Sequence, residues 1–255
     1  MDAGGRIIHL QPVKWEKDWP FIGTDFNKNG IGEPVLTYKK PNVGQFYPIV
    51  TPPETDEFDG EKLGLQWQWS ANENIVWSSK LPGQKFLRLF SIKVPEGENN
   101  LWNVPNLLTQ KFPAPNFAAS TKVKLTPEEA KEGKTAGLLV MGLDHQSIVI
   151  TNKSDGFYVQ LRRAEKADKG GEEKILFETK LKNNEVYLKV NVNEPNGLCQ
   201  FSYSENGKNF IKTGDLFQAK PGKWIGAKVG LYSISTSKAP RGGYADFDWF
   251  RITKN

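Results

Sequence analysis

One short run in this sequence has the residue types and spacing of a catalytic site. It carries three acidic residues at alternate positions, Glu57, Asp59 and Glu61. Alternate side chains of a β-strand point to one face, so the three carboxyl groups would line a single surface. Two carboxyl groups about 5–5.5 Å apart can cleave a glycosidic bond with retention. Gly60 weakens a central strand, and the segment follows a proline-rich stretch. Because of these two features, a self-sufficient hydrolase that uses these acids is kept only as the alternative to the main hypothesis given below.

Aromatic residues provide a second kind of chemistry, because sugar rings stack their C–H faces on aromatic side chains. Trp67 and Trp77 stand close together in the sequence, and Trp102 lies in a loop-like stretch rich in asparagine. With Tyr244 near the C-terminus, these residues are predicted as carbohydrate contacts, and Trp102 is expected to be the most exposed. Burial in a hydrophobic core is the alternative for each tryptophan.

Asp144 and His145 form a polar turn between two apolar runs. Such a turn could lie at the rim of a binding site and form hydrogen bonds with sugar hydroxyls, so both residues are carbohydrate-binding candidates. A plain solvated turn is the alternative.

Composition excludes several classes of protein. The net charge of +5 is spread along 255 residues, and nucleic-acid binding would need a clustered basic face or a known module. No window approaches the roughly 18 apolar residues that span a bilayer. We therefore expect neither a nucleic-acid nor a membrane partner. The single cysteine, Cys199, is predicted to be a buried thiol on a strand. The first residues lack the basic start and apolar run of a signal peptide.

Short apolar-alternating runs separated by turn signals dominate the sequence after residue 56. Many short, evenly spaced strands are typical of an antiparallel sandwich or barrel. The predicted strands cover residues 85–89, 118–125, 136–141, 146–151, 157–163, 174–178, 185–192, 198–203, 228–233 and 245–252. Residues 126–130 are expected to form a single helical turn. The fold class is all-β.

The first forty residues have a different character. Two strand-like runs flank a charged turn at residues 16–18, which predicts a hairpin that carries Trp15 and Trp19. An isolated hairpin is marginally stable and needs another surface to cover its apolar face. A stretch with five prolines between residues 34 and 53 follows, and it predicts an extended connector.

These segments resemble parts of glycoside hydrolase family 43. The opening and the run Gly-Ile-Gly-Glu-Pro-Val at residues 30–35 are similar to the end of its five-bladed catalytic propeller. Residues 65–69, 81–83, 87–89 and 242–250 resemble the concanavalin A-like sandwich that follows the propeller in β-xylosidase-type members. The resemblance implies a propeller-end hairpin over residues 1–36, a proline-rich connector over 37–55, and a concanavalin A-like β-sandwich of jelly-roll type over 56–255.

This resemblance also implies a function. The catalytic acids of the family lie on earlier propeller blades, so we expect a non-catalytic accessory part of a β-xylosidase or α-arabinofuranosidase. It would bind xylan or arabinoxylan chains, or brace the propeller and shape its substrate pocket. The expected location of the parent enzyme is extracellular or periplasmic. His9 would face the propeller channel and has no expected role without the other blades. The acidic run at residues 57–61 resembles instead the catalytic strand of family 16 glucan hydrolases.

A structural calcium ion is expected where the first and last strands of the sandwich meet, because related sandwiches hold one there. Calcium prefers carboxylate and carbonyl oxygens. The predicted ligands are Asp248, with Asp56 or Glu57 contributing.

Overall fold

A computed structural model describes residues 3–5, 9–48, 51, 53–128, 132–193, 195, 197–237 and 242–255. The chain forms two compact units. Residues 7–51 form one unit, and residues 1–6 together with 52–255 form the other. The second unit holds the sandwich, and its boundary lies within a few residues of the expected end of the connector.

The strands, in chain order, are β1 Val13–Glu16, β2 Trp19–Ile22, β3 Gln68–Trp69, β4 Ser78–Ser79, β5 Leu87–Phe90, β6 Ile92–Lys93, β7 Leu108–Lys111, β8 Phe117–Thr126, β9 Lys134–Met141, β10 His145–Lys153, β11 Gly156–Ala164, β12 Lys174–Lys180, β13 Glu185–Asn193, β14 Leu198–Ser204, β15 Ile211–Gln218, β16 Lys228–Ser235 and β17 Tyr244–Thr253. A short 3₁₀ helix covers Ala167–Lys169.

The sandwich consists of two mainly antiparallel sheets. The first has the strand order β12-β11-β10-β9-β16-β7-β3, and β6 pairs with β16 in parallel. The second has the order β15-β14-β13-β8-β17-β5-β4. Strands that are distant in the sequence are neighbours in both sheets. The two sheets contain all the strands described for this unit, and the prediction of an all-β sandwich is confirmed.

The main core lies between the two sheets because alternate residues of each long strand point inward. In β13, for example, Val186, Leu188 and Val190 are fully buried while the residues between them are partly exposed. The thiol of Cys199 is also buried in this core, and burial raises its pKa to about 12. It is therefore an inert structural thiol.

The opposite face of the first sheet is covered by the chain itself. Residues 94–107 run across it, and Leu101, Val104 and Leu107 pack against outward-facing residues that include Val149 and Tyr232. This second apolar cluster covers part of the outer face of the first sheet.

All ten strands predicted for the sandwich are present, with ends that differ by a few residues. Two longer strands were missed. β7 has a single apolar residue, Leu108, and β15 contains Gly214 and Asp215, so neither shows a clear alternation of apolar residues. The predicted helical turn at 126–130 lies partly outside the described residues.

The unit formed by residues 7–51 contains the predicted hairpin. β1 pairs with β2 through a two-residue turn in which Lys17 and Asp18 both have positive φ, at 50° and 63°. Such turns match the twist of the strands that they join. Trp15 and Trp19 are 73% and 76% exposed.

Within the described residues, no helix is long and apolar enough to cross a membrane.

Candidate functional site

Trp67 is held by structural contacts at the edge of the main core. Its indole Nε1–H donates a hydrogen bond to the Asp56 carboxylate at 2.9 Å, and its ring lies 4.9 Å from Phe250 and 6.0 Å from Phe58. One side of it still lines a surface cavity of about 530 Å³ together with Gln110. Its main contacts are those of a core residue that reaches the surface.

Trp77, Trp102 and Tyr244 differ in their surroundings. Trp77 is 7% exposed and packs edge-on against Trp69 at 5.3 Å. Trp102 is only partly exposed, so the prediction that it is a freely exposed tryptophan is wrong. The guanidinium of Arg88 covers the Tyr244 ring at 3.6 Å. None of the four aromatic residues predicted as carbohydrate contacts is more than partly exposed, and among the described residues no ring contact joins any two of them.

Asp144 and His145 are buried, at 4% and 0% exposed, so the expectation of a solvated polar turn or a rim is wrong. Residues 94–107 lie over His145, and its Nε2 accepts a hydrogen bond from the backbone N–H of Leu101 at 3.1 Å. The Asp144 carboxylate accepts from the backbone N–H of Lys166 and pairs with Lys220 Nζ at 2.5 Å. Both side chains fix loops to the first sheet.

A second carboxylate, Glu173, completes this buried cluster. Its Oε2 lies 3.8 Å from His145 Nδ1, which is too far for a hydrogen bond. Neither of these two atoms has a hydrogen-bond partner among the described residues. Burial lowers the pKa of His145 to about 4, against a smaller opposing effect of Asp144. Burial also raises the pKa of Glu173, while Arg162 acts in the opposite direction. The imidazole is therefore neutral and inaccessible to a substrate.

The acidic run does not form the strand that the alternative hypothesis needs. Only Asp56 forms a bridge, to Phe250, and Phe58 is fully buried with φ at +51°. Glu57 pairs through two hydrogen bonds with Arg251, at 2.7 and 2.8 Å, and this pair lowers the pKa of Glu57. Residues 57–61 do not form a strand, so alternation does not place Glu57, Asp59 and Glu61 on one face, and the arrangement that the alternative hypothesis needs is missing.

The predicted calcium ligands are each occupied by protein donors. Asp56 accepts from Trp67 Nε1 and from the backbone N–H of Phe58, Glu57 binds Arg251, and Asp248 pairs with Lys122 at 2.8 Å. No group of three His, Cys, Asp or Glu side chains within the described residues is arranged to hold a metal ion. The residues present do not fit a calcium site, and a bound ion stays an untested prediction.

Three aromatic residues that the sequence analysis did not select, Tyr187, Phe210 and Trp249, line a groove of about 590 Å³ on the outer face of the second sheet. For Trp249, a signal was available in the sequence. The inward apolar residues of β17 are Ala245, Phe247, Phe250 and Ile252, and the three-residue step between Phe247 and Phe250 breaks the period of two. His9 is exposed in the other unit.

Comparisons with known proteins identify the family. The model of the β-xylosidase C-terminal concanavalin A-like domain matches residues 55–253. The chain is 32% identical to a β-xylosidase of Formosa agariphila, over 96% of this chain and 42% of the relative. It is 28% identical to a non-reducing end α-L-arabinofuranosidase of Bacteroides ovatus, over 96% of this chain and 44% of the relative.

A solved structure extends the comparison. A bifunctional GH43-CE protein from Bacteroides eggerthii superposes with a TM-score of 0.74 at 26% identity, over 100% of this chain and 31% of that one. The chain thus spans less than half the length of these relatives. It belongs to the family of concanavalin A-like domains found at the C-terminus of family 43 β-xylosidases, and the predicted resemblance is confirmed.

Proposed function

We propose that this chain is a non-catalytic accessory part of a xylan-degrading glycosidase, where it braces the catalytic propeller and shapes its substrate pocket. The relatives named β-xylosidase and α-L-arabinofuranosidase support this proposal, because the chain matches less than half of each. The remaining length of those relatives is sufficient for a catalytic domain. Because xylan is a large polymer, the proposal includes an extracellular or periplasmic location.

The observation that carries the proposal is the apolar surface of the unit formed by residues 7–51. Many of the large apolar side chains of this unit are exposed to solvent. They include Leu10 at 86%, Trp15 at 73%, Trp19 at 76%, Leu36 at 104% and Phe46 at 88% exposed. The hairpin that carries Trp15 and Trp19 needs a partner surface, and the neighbouring blade of a propeller would provide one.

A chimeric enzyme tests this role. The C-terminal part of the Formosa β-xylosidase is replaced by this chain and compared with the same enzyme truncated before that part. We expect the chimera to unfold at a higher temperature and to hydrolyse a chromogenic xyloside faster than the truncated enzyme. This chain by itself should not hydrolyse the xyloside.

Matched variants locate the contact. Replacing Trp15 and Trp19 with serine in the chimera should remove most of the gain in stability and activity. Replacing Trp224, an equally exposed tryptophan of the sandwich at 76%, should not. Equal behaviour of the chimera and the truncated enzyme would contradict the bracing role, and hydrolysis by this chain alone would contradict the non-catalytic role.

A further inference from the structure

The outer face of the second sheet carries a groove over strands β13, β8 and β17. Its floor is β8, where Ser120 lies between Lys189 of β13 and Arg251 of β17 in the strand register. Because serine is much shorter than either neighbour, the surface is depressed at this point. The volume of about 590 Å³ lies within the range of roughly 300–1,000 Å³ that is typical of small-molecule sites.

Aromatic rings form the walls of this groove. Tyr187 and Trp249 pair with Lys122 from opposite sides, and their ring centres are 6.5 Å apart. Phe210 adds a third ring from the end of the turn that follows β14. That turn can approach because Gly207 has no side chain, since a Cβ there would lie 2.9 Å from the Tyr187 ring.

A β-bulge in β17 brings Trp249 to the groove. Phe247 and Phe250 are both fully buried, and the two residues between them, Asp248 and Trp249, are both partly exposed. The register with β8 shifts between Phe247 and Trp249. A regular strand would direct one of these two residues inward. The bulge instead places a carboxylate and an indole side by side on the outer face, as bulges next to functional sites commonly do.

The charges of the groove largely compensate each other. Lys122 Nζ lies 2.8 Å from Asp248, and Arg251 forms two hydrogen bonds with Glu57. Lys189 forms no ion pair with any carboxylate that the structure describes, and its ammonium group lies near the Phe210 ring. A phosphate or nucleic-acid ligand would need a clear excess of positive charge. Aromatic walls, mixed polar groups and near-neutral charge therefore favour an uncharged ligand with many hydroxyl groups.

We propose that this groove binds a neutral pyranose oligosaccharide, such as a β-1,4-linked xylose chain. Arg251 Cζ lies 4.4 Å from the centre of the Trp249 ring and covers one of its faces. The C–H faces of the sugar rings contact Tyr187 and the other face of Trp249, and the sugar hydroxyls bond to the floor. Among the described residues, the Ser120 hydroxyl and the Trp249 indole N–H have no hydrogen-bond partner, so both are available to a sugar. The groove lies entirely in the sandwich unit, so this binding does not depend on the bracing role.

The test uses the full chain and xylohexaose. We expect saturable binding by titration calorimetry, and a shift of the Trp249 indole signal in ¹H–¹⁵N spectra, with that signal assigned through Trp249→Phe. Acidic oligogalacturonate of equal length is the comparison ligand and should bind more weakly.

Two variants act on the groove in opposite ways. Trp249→Ala removes a wall and should weaken binding at least about tenfold. Ser120→Trp fills the depression from the solvent side and leaves the core unchanged, so it should weaken binding without a loss of thermal stability. Trp224→Ala, an exposed tryptophan outside the groove, should bind as the unmodified chain does.

Three results would overturn the proposal: no binding of xylohexaose, unchanged affinity in folded Ser120→Trp, or tighter binding of the acidic oligosaccharide. A failure of the chimera described above would leave this outcome unaffected, because no propeller is present in the assay.

Discussion

At the scale of single residues, the residue types that are typical of active sites are mostly used here for structure. His145 holds Leu101, Asp56 holds Trp67, and Glu57 holds Arg251. A polar group that is buried without a hydrogen-bond partner destabilises the fold, because it has lost its hydrogen bonds to water and gained none in return. The strand and loop contacts therefore occupy the donors and acceptors that a ligand would need.

The buried imidazole should make stability depend on pH. Because the pKa of His145 is about 4 in the folded protein and about 6.5 when unfolded, the unfolded chain binds more protons between these values. The free energy of unfolding should therefore fall by up to about 3 kcal/mol as the pH drops from 6.5 to 4. The raised pKa of Glu173 acts in the opposite direction, since this carboxyl gains a proton more readily in the folded state.

The His145 contribution can be isolated with His145→Gln, whose side-chain oxygen can still accept from Leu101. Urea unfolding of both proteins between pH 4 and 7 gives the difference. We expect the variant to lose less stability on acidification than the unmodified chain. Parallel pH curves for the two proteins would be incompatible with a buried neutral histidine.

Calcium removal tests the predicted metal site. Since Asp56, Glu57 and Asp248 already have protein partners, we expect the melting temperature to be the same in calcium and in excess EGTA. A site present at a calcium concentration a hundredfold above its Kd would add about 2.7 kcal/mol. A melting temperature that rises with calcium concentration would instead establish the ion that the sequence predicts.

At the scale of elements, the segment of residues 94–107 decides what the first sheet can do. Two faces of that sheet are apolar, one in the main core and one beneath this segment. Without the cover, Val149 and Tyr232 would face solvent. The segment thus forms a second core on this face, and it covers His145, one of the two predicted rim residues.

Truncating a leucine under this segment should be costly. Leu107→Ala removes a fully buried side chain and should lower the free energy of unfolding by about 2–5 kcal/mol. Leu65→Ala is the matched control, because Leu65 is fully exposed and should change stability by less than about 0.5 kcal/mol. Chemical denaturation measures both. Equal effects of the two variants would mean that the segment does not pack on the sheet in solution.

At the scale of the whole molecule, the two units have opposite surfaces. The sandwich unit buries most of its large apolar side chains, and the unit of residues 7–51 exposes many of them. Only the first pattern is that of a unit with its own core. The second pattern supports the proposed partner surface.

Limited proteolysis should separate these units. Residues 36–48 are almost entirely exposed and lie outside the strands, and exposed chain without ladder hydrogen bonds is cleaved first. Chymotrypsin is expected to cut early after Phe46, which is 88% exposed, and to leave a resistant product that ends at Asn255. Mass spectrometry identifies the product. Initial cleavage within the long strands of the sandwich would contradict this order of stability.

The sequence by itself determined the fold class, the ten main sandwich strands and the hairpin, because these depend on local alternation and on turn residues that are visible over a few positions. It did not reveal β7 or β15, whose pairing with neighbours compensates for a weak pattern. The functional residues depended on tertiary structure. Leu101, which covers His145, lies about forty residues away in the sequence, and the carboxylate of Asp144 is held by Lys166 and Lys220. The groove of Tyr187 and Trp249 comes from strands that only the sheet register brings together.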